Sequence, residues 1–508
     1  MRATAIALLV LAACSGGGGG GGSAPPAPPA PVASGAVSGL SPFAATCGQG
    51  GGGTLYTNSE VEPSIAVDPL NANHWIGVWQ QDRWSNGSAR GIVAAVTFDA
   101  GATWTKRSIA FSACGGGELA RATDPWVTFS PDGTAYQTAV SSVGGVLSAD
   151  SINAVLVSQS RDGGLTWSAP TTLIRDGAAG FNDKETVTAD PTDARFAYAV
   201  WDRITAVNTG PTMFARTTDG GATWEPARVI YDPGVGQQTI GNLVRVLPDG
   251  TVVNLALHLV GTDEGFSQAT LEVLRSTDHG ATWSAPIRVS DFRPLGARDP
   301  VTGTAIRDGS IIPQMAVAPN GALLVVWQDG RFSATVDGIA FSRSTDGGRT
   351  WSAPVRVNGD ASVAAFTPQV HVRADGTIGV AYFDLRSNTP DPATLFTDYW
   401  LARSADGVTW TETHIDGPFD ISTAPSVGGA YFLGDYMGLA SSGAAFVSLY
   451  ARTTGDPANR TDIFARSIAA TAEAGAAVPA AEMRLPEAAF DRRSFDNLRQ
   501  AVRARAMR

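Results

Sequence analysis

Residues 344–351 read STDGGRTW, and four more stretches repeat the pattern: TFDAGATW at 97–104, SRDGGLTW at 160–167, TTDGGATW at 217–224 and STDHGATW at 276–283. A shortened copy, SADGVTW, occupies 404–410. The aspartate of such a turn accepts hydrogen bonds from its own backbone N–H groups. The glycine supplies a positive φ, and the threonine and tryptophan start the next strand with a large apolar surface. From Asp99 through Asp162, Asp219, Asp278 and Asp346 to Asp406, the steps are 63, 57, 59, 68 and 60 residues. A turn repeated at the length of a four-stranded sheet implies a ring of similar sheets. A catalytic centre is one constellation, so six equal copies are read as structural turns.

Between the turns a two-strand unit recurs. It begins near a proline and ends in W-x-D-x-R or a relative. The units start at Pro63, Pro125, Thr186, Asn242, Pro313, Pro368 and Asp435. Each supplies strands A and B, and the segments flanking the Asp turn supply C and D. The expected fold is all-β, a β-propeller of four-stranded antiparallel blades over residues 54–467. Seven blades are expected, with six as the alternative if one unit packs irregularly. The segment Thr54–Val61 is expected to supply the strand that closes the ring.

The repeat resembles the Asp-box, or BNR repeat, of the sialidase-like β-propellers, over about residues 60–467. That resemblance implies a carbohydrate-active superfamily, with exo-sialidase-like glycoside hydrolysis as the activity to look for.

Of 508 residues, 16% are charged and the net charge is −11, which argues against nucleic acid as a partner. Nothing in the sequence points to a cofactor or a resident metal. Residues 1–13 carry Arg2 and an apolar run, Ala5–Leu11, too short to span a bilayer. Leu11-Ala12-Ala13-Cys14 resembles a bacterial lipobox, so Cys14 is expected to be lipidated after cleavage of a signal peptide. An ordinary signal peptide is the other reading. Residues 15–53, rich in Gly, Ala, Pro and Ser, are expected to form a flexible tether. The chain is thus expected to be an exported, membrane-anchored monomer of the cell envelope. Cys47 and Cys114 are expected to pair in an oxidising compartment. Residues 468–508 read as an Ala-rich linker and a basic helix with Phe495, Leu498 and Val502 on one stripe, either docked on the body or meeting a membrane.

Strand order places A starts and B ends on one face, opposite the Asp turns. Glu60, Glu62, Asp124, Asp183, Lys184, Glu185 and Asp308 stand at A starts. Asp82, Arg83, Asp202, Arg203, Asp329, Arg331, Asp384 and Arg386 stand at B ends, with Trp79, Trp84, Trp126, Trp201 and Trp327 nearby. Carboxylates, guanidinium forks and flat apolar faces suit carbohydrate. The same residues also suit blade-to-blade locking.

The resemblance places Tyr436 as the nucleophile and leaves Asp82 as a displaced acid/base; a nearby carboxylate, Glu62 or Asp435, is the expected catalytic partner. Arg83, Asp124, Arg203, Arg331, Arg386 and Trp84 are the candidate substrate-binding residues. The family's arginine triad does not carry over. Val61 stands at the first position, Leu257 or His258 at the second, and Leu395 near the third. Gly241 or Asn242 stands for the activating glutamate, and Ala451 follows Tyr450 where the family has glutamate. The alternative function is a non-catalytic propeller that binds a protein partner or acts as an assembly scaffold.

Overall fold

A computed structural model of the chain describes residues 35–48, 52–205, 209–262, 265–469, 478–479, 494–500 and 502. Cys14, the signal segment, the first part of the tether and most of 470–493 lie outside the described residues. No helix among the described residues is long and apolar enough to cross a membrane.

The described chain is all-β and mostly antiparallel, in successive units of three or four strands, of which the first, second and last are linked through the bridges Ala89–Ala122 and Ser59–Thr461 into one eleven-stranded sheet. The first contains β1 (Leu55–Asp68), β2 (Asn71–Trp84), β3 (Ala89–Thr97) and β4 (Thr105–Ile109). The second contains β5 (Arg121–Phe129), β6 (Ala135–Val143), β7 (Ile152–Ser160) and β8 (Thr171–Asp176). The third contains β9 (Phe181–Ala189), β10 (Ala197–Ile204), β11 (Thr212–Thr217) and β12 (Arg228–Tyr231). The fourth contains β13 (Gln237–Val246), β14 (Val252–Thr262), β15 (Gly265–Ser276) and β16 (Ile287–Asp291). A short strand, β17 (Ile306–Arg307), precedes the fifth sheet of β18 (Gln314–Val317), β19 (Leu323–Asp329), β20 (Gly338–Ser344) and β21 (Val355–Arg356). The sixth contains β22 (Ala365–Val372), β23 (Ile378–Asp384), β24 (Phe396–Ser404) and β25 (Thr409–Asp420). After β26 (Ser426–Val427) and β27 (Ala430–Phe432) come β28 (Gly438–Ser442), β29 (Ala445–Asp456) and β30 (Asn459–Ile468).

Burial follows strand position. The second strands are long apolar runs, as in the fully buried LLVVWQD of β19. The fourth strands are polar and open, as in TKRSI of β4, exposed at four of five positions. The core therefore lies between sheets, where the strands are buried on both faces and read without alternation. First strands touch in succession: β1 with β5, β5 with β9, β9 with β13, β13 with β18, β18 with β22, β22 with β28, and β28 with β1. One axial cavity of about 610 Å³ is lined by residues from all seven of these strands.

The Asp turns are closed hydrogen-bonded units. Asp346 accepts from the Ser344 hydroxyl at 2.8 Å, the Thr350 amide at 2.9 Å and the Thr350 hydroxyl at 2.6 Å. The Trp351 indole donates to the Gly348 carbonyl at 3.3 Å. Asp99 is held down at about 2 by the Thr103 hydroxyl and amide bonds. An arginine near each box then reaches the next sheet. Arg107 donates to the Leu165 carbonyl at 2.9 Å, Arg161 to Gly220 at 2.8 Å and Arg216 to His279 at 2.6 Å. Arg275 donates to Gly347 at 2.6 Å and Arg343 to Asp406 at 3.1 Å. The box carbonyls left free by the turn are the acceptors, so the turns lock sheet to sheet.

Two expectations about the N-terminal part are corrected. Thr54–Val61 does not add an outer strand, because Leu55 onward forms the first strand of the first sheet and meets β30 only at the parallel bridge Ser59–Thr461. The outer partner of β30 is Ala36–Ser38. Ala36 bridges Phe464, the Val37 amide donates to the Ile463 carbonyl at 2.7 Å, and the Ser38 hydroxyl donates to Asp462 at 2.7 Å. The tether expected to run to residue 53 is therefore packed on the body from residue 36. Val37 and Phe43 are buried in the main core, and Cys47 is disulfide-bonded to Cys114. The apolar residues Val37 and Phe43 supply burial that the surrounding Gly, Ala and Ser cannot.

Candidate functional site

The first strands share a bulge near their starts. Register shifts lie at Val61/Ser64, Thr123/Trp126, Val200/Asp202 opposite Lys184, Ile240/Leu243 and Phe366/Gln369. Glu62, Asp124, Lys184 and Thr367 occupy the bulge with φ of 54°, 54°, 54° and 50°. Gly241, at 67°, is the one residue of this row for which that region is unstrained. A left-handed non-glycine residue costs of order 1–3 kcal/mol, and such strain collects where side chains must be aimed. Here it turns three charged side chains toward one another.

The Lys184 ammonium donates to Asp124 at 2.7 Å and to Asp435 at 2.6 Å, and stands 3.5 Å from Glu62. Asp435 also accepts two parallel bonds from Arg307, at 3.0 and 2.6 Å. The Asp435 amide donates to Glu62 at 3.1 Å, and Gln80 caps the other Glu62 oxygen. All these side chains are buried. Oxygens of Glu62, Asp124 and Asp435 lie within 4.8 Å of one another, spacing that would suit a cation. The Lys184 ammonium takes that place with its own charge.

Tyr436 and Glu62 are brought into one neighbourhood, but not as a nucleophile and its base. The Tyr436 hydroxyl donates to the Pro125 carbonyl at 3.0 Å. Its ring stands edge-on to Trp126 at 5.3 Å, with the Lys184 ammonium 6.0 Å from its centroid. Burial, then the charges of Glu62 and Asp124, raise its pKa well above the tyrosine value, which opposes the phenolate.

Glu185 is the neighbouring group that was not singled out. Both its oxygens are buried and have no hydrogen-bond partner among the described residues. Burial, then the Asp124 charge, raise its pKa well above the ordinary glutamate value. It lines a cavity of about 20 Å³ with Tyr436, Asn242 and Gln314.

The remaining candidates pair off elsewhere. Asp82 accepts from Ser41 at 2.6 Å, the Asn58 amide at 2.8 Å and Arg90 at 3.2 Å, so it ties the N-terminal segment to the first sheet. Trp84 lies under the Arg121 guanidinium at 4.5 Å. Arg203 grips Asp176 at 2.7 and 2.8 Å. Arg331 bonds Asp329 at 2.7 Å and the Asp291 carbonyl at 2.7 Å. Arg386 holds Asp384 at 2.6 Å and Glu412 at 2.9 Å, and lies 3.7 Å over the Trp400 ring. These pairs lock strands and sheets. Arg83 stays near the cluster through Gln80, with its guanidinium 4.8 Å from the Phe432 ring.

An insertion covers this end of the sheets. β17 pairs in parallel with β27, and β27 with β26, in a three-stranded cap. Val61, standing where the resemblance would place the first arginine, packs against Val427 and Phe432 of this cap. Arg307 enters from β17, and its guanidinium lies 4.6 Å from the centroid of the same Phe432 ring. Residues 494–500 are helical and dock here, with Leu498 fully buried and Asn497 donating to Ser310 at 3.3 Å. Between cap and helix lies a pocket of about 310 Å³, reached by Arg298, Arg307, Ser310, Asp435, Gly429 and Gln500. Arg307 Nη1 has no acceptor among the described residues. The only advance signal for Arg307 was the 68-residue step from Asp278 to Asp346, the longest in the series.

No family model and no curated protein matches the chain. Among solved structures, it is similar to a protein of unknown function from Dyadobacter fermentans, with TM-score 0.45 and 13% identity, covering 82% of this chain and 96% of that one. It is similar to the Hadza microbial sialidase Hz136, with TM-score 0.43 and 17% identity, covering 81% of this chain and 66% of that one. It is also similar to the GH93 alpha-L-arabinofuranosidase of Fusarium graminearum, with TM-score 0.44 and 13% identity, covering 81% and 93%.

Proposed function

We propose that the chain is a closed propeller of seven four-stranded blades that recognises carbohydrate on the strand-A-start face. The cyclic first-strand contacts and the cavity lined by all seven first strands support the ring, with Ala36–Ser38 completing the last blade. An exported protein tethered through a lipidated Cys14 fits the Cys47–Cys114 disulfide, which an oxidising compartment preserves.

One observation carries the recognition: the bidentate Arg307–Asp435 pair faces a 310 Å³ pocket and is fixed from below by Lys184, Asp124 and Glu62. A preorganised donor and acceptor at a pocket wall suits hydroxyl groups, because neither side chain must be ordered on binding. The site binds without tyrosine-driven hydrolysis, since the Tyr436 hydroxyl is committed to Pro125. A hydrolytic reading has Glu185 in its favour, a buried carboxyl whose raised pKa suits general acid work. Glycan-array binding by the full chain, with Arg307→Gln, tests recognition. Retained binding in the variant, or no glycan bound by the wild type, defeats it. Release from a panel of aryl glycosides tests hydrolysis. Turnover abolished by Glu185→Gln would establish the acid, and turnover abolished by Tyr436→Phe would contradict the placement of Tyr436.

A further inference from the structure

The opposite end of the axis holds different chemistry. The cavity of about 610 Å³ is open on the side of the A-to-B turns, and its walls are the later halves of the seven first strands. That volume falls within the usual range of small-molecule sites. Most polar groups on the wall are already used. The Thr188 hydroxyl donates to the Val244 carbonyl at 2.9 Å, and Gln369 donates to the Met437 carbonyl at 2.7 Å. His371 is 2.9 Å from the Ser441 hydroxyl. Asp68 is bonded to His74 at 2.9 Å.

Arg245 differs from these. Its recorded bond runs from Nη1 to the carbonyl of the adjacent Val244, at 2.9 Å, and no carboxylate pairs with it among the described residues. Four of its five N–H donors therefore lack a protein acceptor. Burial lowers its pKa to about 10, still far above neutrality. His371 across the wall is lowered to about 4 by burial and then by the Arg245 charge, so it is neutral at physiological pH. A planar guanidinium with a free fork, in a concave site, is a carboxylate or phosphate receptor.

We propose that Arg245 anchors a compact oxyanion, a phosphate or the carboxylate of a small acid, inside the axial cavity on the Asp-box face. The fork binds two oxygens of the anion in parallel. The apolar walls from Val187, Val317 and Leu439 leave little water to compete with that bond. This site is independent of the carbohydrate pocket, since it shares no residue with it.

The test is isothermal titration calorimetry of the full chain at low ionic strength with inorganic phosphate, acetate and glucuronate as separate probes. Saturable binding of at least one anion below about 10 mM is expected, a modest affinity for a single fork. Arg245→Gln should weaken it tenfold or more, and Arg307→Gln should leave it unchanged. Arg245→Gln removes a desolvated cation and no ion pair, so it should fold, as near-UV circular dichroism will check. Ser441→Asp is the second variant, placing a competing carboxylate beside His371 on the same wall, and should also abolish binding. Preference for phosphate over both carboxylates, or the reverse, decides the source of the anion. Absence of saturable binding by all three probes, or full binding by Arg245→Gln, overturns the proposal.

Discussion

Replacing Lys184 with methionine removes one charge and keeps the volume and the strained backbone. The ammonium stands 2.7 Å from Asp124, 2.6 Å from Asp435 and 3.5 Å from Glu62. Without it, Arg307 still neutralises Asp435, but Glu62 and Asp124, within 4.8 Å of each other, lose the ammonium between them. At an effective dielectric of about 20, two such charges repel by roughly 3–4 kcal/mol. Removing one partner of a buried ion pair costs about 3–5 kcal/mol by mutagenesis, which agrees. A unit on the order of 400 residues has an unfolding entropy near 0.8 kcal/mol per kelvin, so Tm should fall by about 4–6 °C. The sign with pH is also fixed. In the variant a buried carboxyl without its cation has a pKa raised above the unfolded value. Its penalty is absent below the unfolded pKa and grows as pH rises through the folded one. Scanning calorimetry at one fixed rate, at pH 5 and pH 8, should show the larger loss at pH 8. Lys184→Met with Asp124→Asn should recover part of it. An unchanged Tm at pH 8, or a larger deficit at pH 5, would refute the assignment of Lys184 as the central cation.

Three further outcomes follow from the scaffold. Asp346→Ala removes the acceptors for Ser344, Arg349 and Thr350 and should cost about 1 kcal/mol, a Tm loss of 1–2 °C, because the turn is solvent-facing and water replaces part of what is lost. Arg343→Ala, which removes a single bond to the Asp406 carbonyl, should cost less in the same scan. Cys47→Ser opens a loop of sequence separation 67 and should cost about 4 kcal/mol in the chain-entropy model, with new protease cleavage between residues 35 and 48. Burial raises Asp337 to about 7 and Asp384 to about 6, and raises Glu185 well above its ordinary value. Groups raised in the folded state contribute stability below the unfolded pKa of about 4 and lose it as pH rises to about 7, so Tm should be higher at pH 5 than at pH 8. Glu185→Gln, which mimics the protonated acid, should raise Tm at pH 8 and leave it unchanged at pH 5.

The prolines of the two-strand units carried most of what the sequence told about the site. Pro63, Pro125 and Pro368 each follow the residue at the bulge, so Glu62 and Asp124 were found by position alone. Proline disfavours the right-handed helical region in the residue before it, and the bulge then forces that residue left-handed. The B-end arginines were misplaced for an equally local reason. Arg331 and Arg386 bond the aspartate two residues earlier, on the same side of the strand, before they can reach the axis. Arg307 was out of reach because it sits in a cap with no counterpart in the other units. The Asp turns were legible because the aspartate's own bonds are made within eight residues, whereas the arginines that reach the box carbonyls come from the neighbouring sheet.

The two ends of the sheets divide the chemistry. At the strand-A-start end, three carboxylates meet two cations and the buried Glu185 under an inserted cap, and four left-handed non-glycine residues hold that arrangement at several kcal/mol of backbone strain. A pure scaffold has no use for that strain, because glycine at Glu62, Asp124 or Thr367 would relieve it. At the other end the arginines of the boxes spend donors on box carbonyls, sheet to sheet, while Arg245 keeps open donors. The repeated motif thus accounts for the rigidity that lets the far end carry strain, and the residues that break the repeat, Lys184, Arg307 and Arg245, are the ones whose substitution separates a binding protein from a structural one.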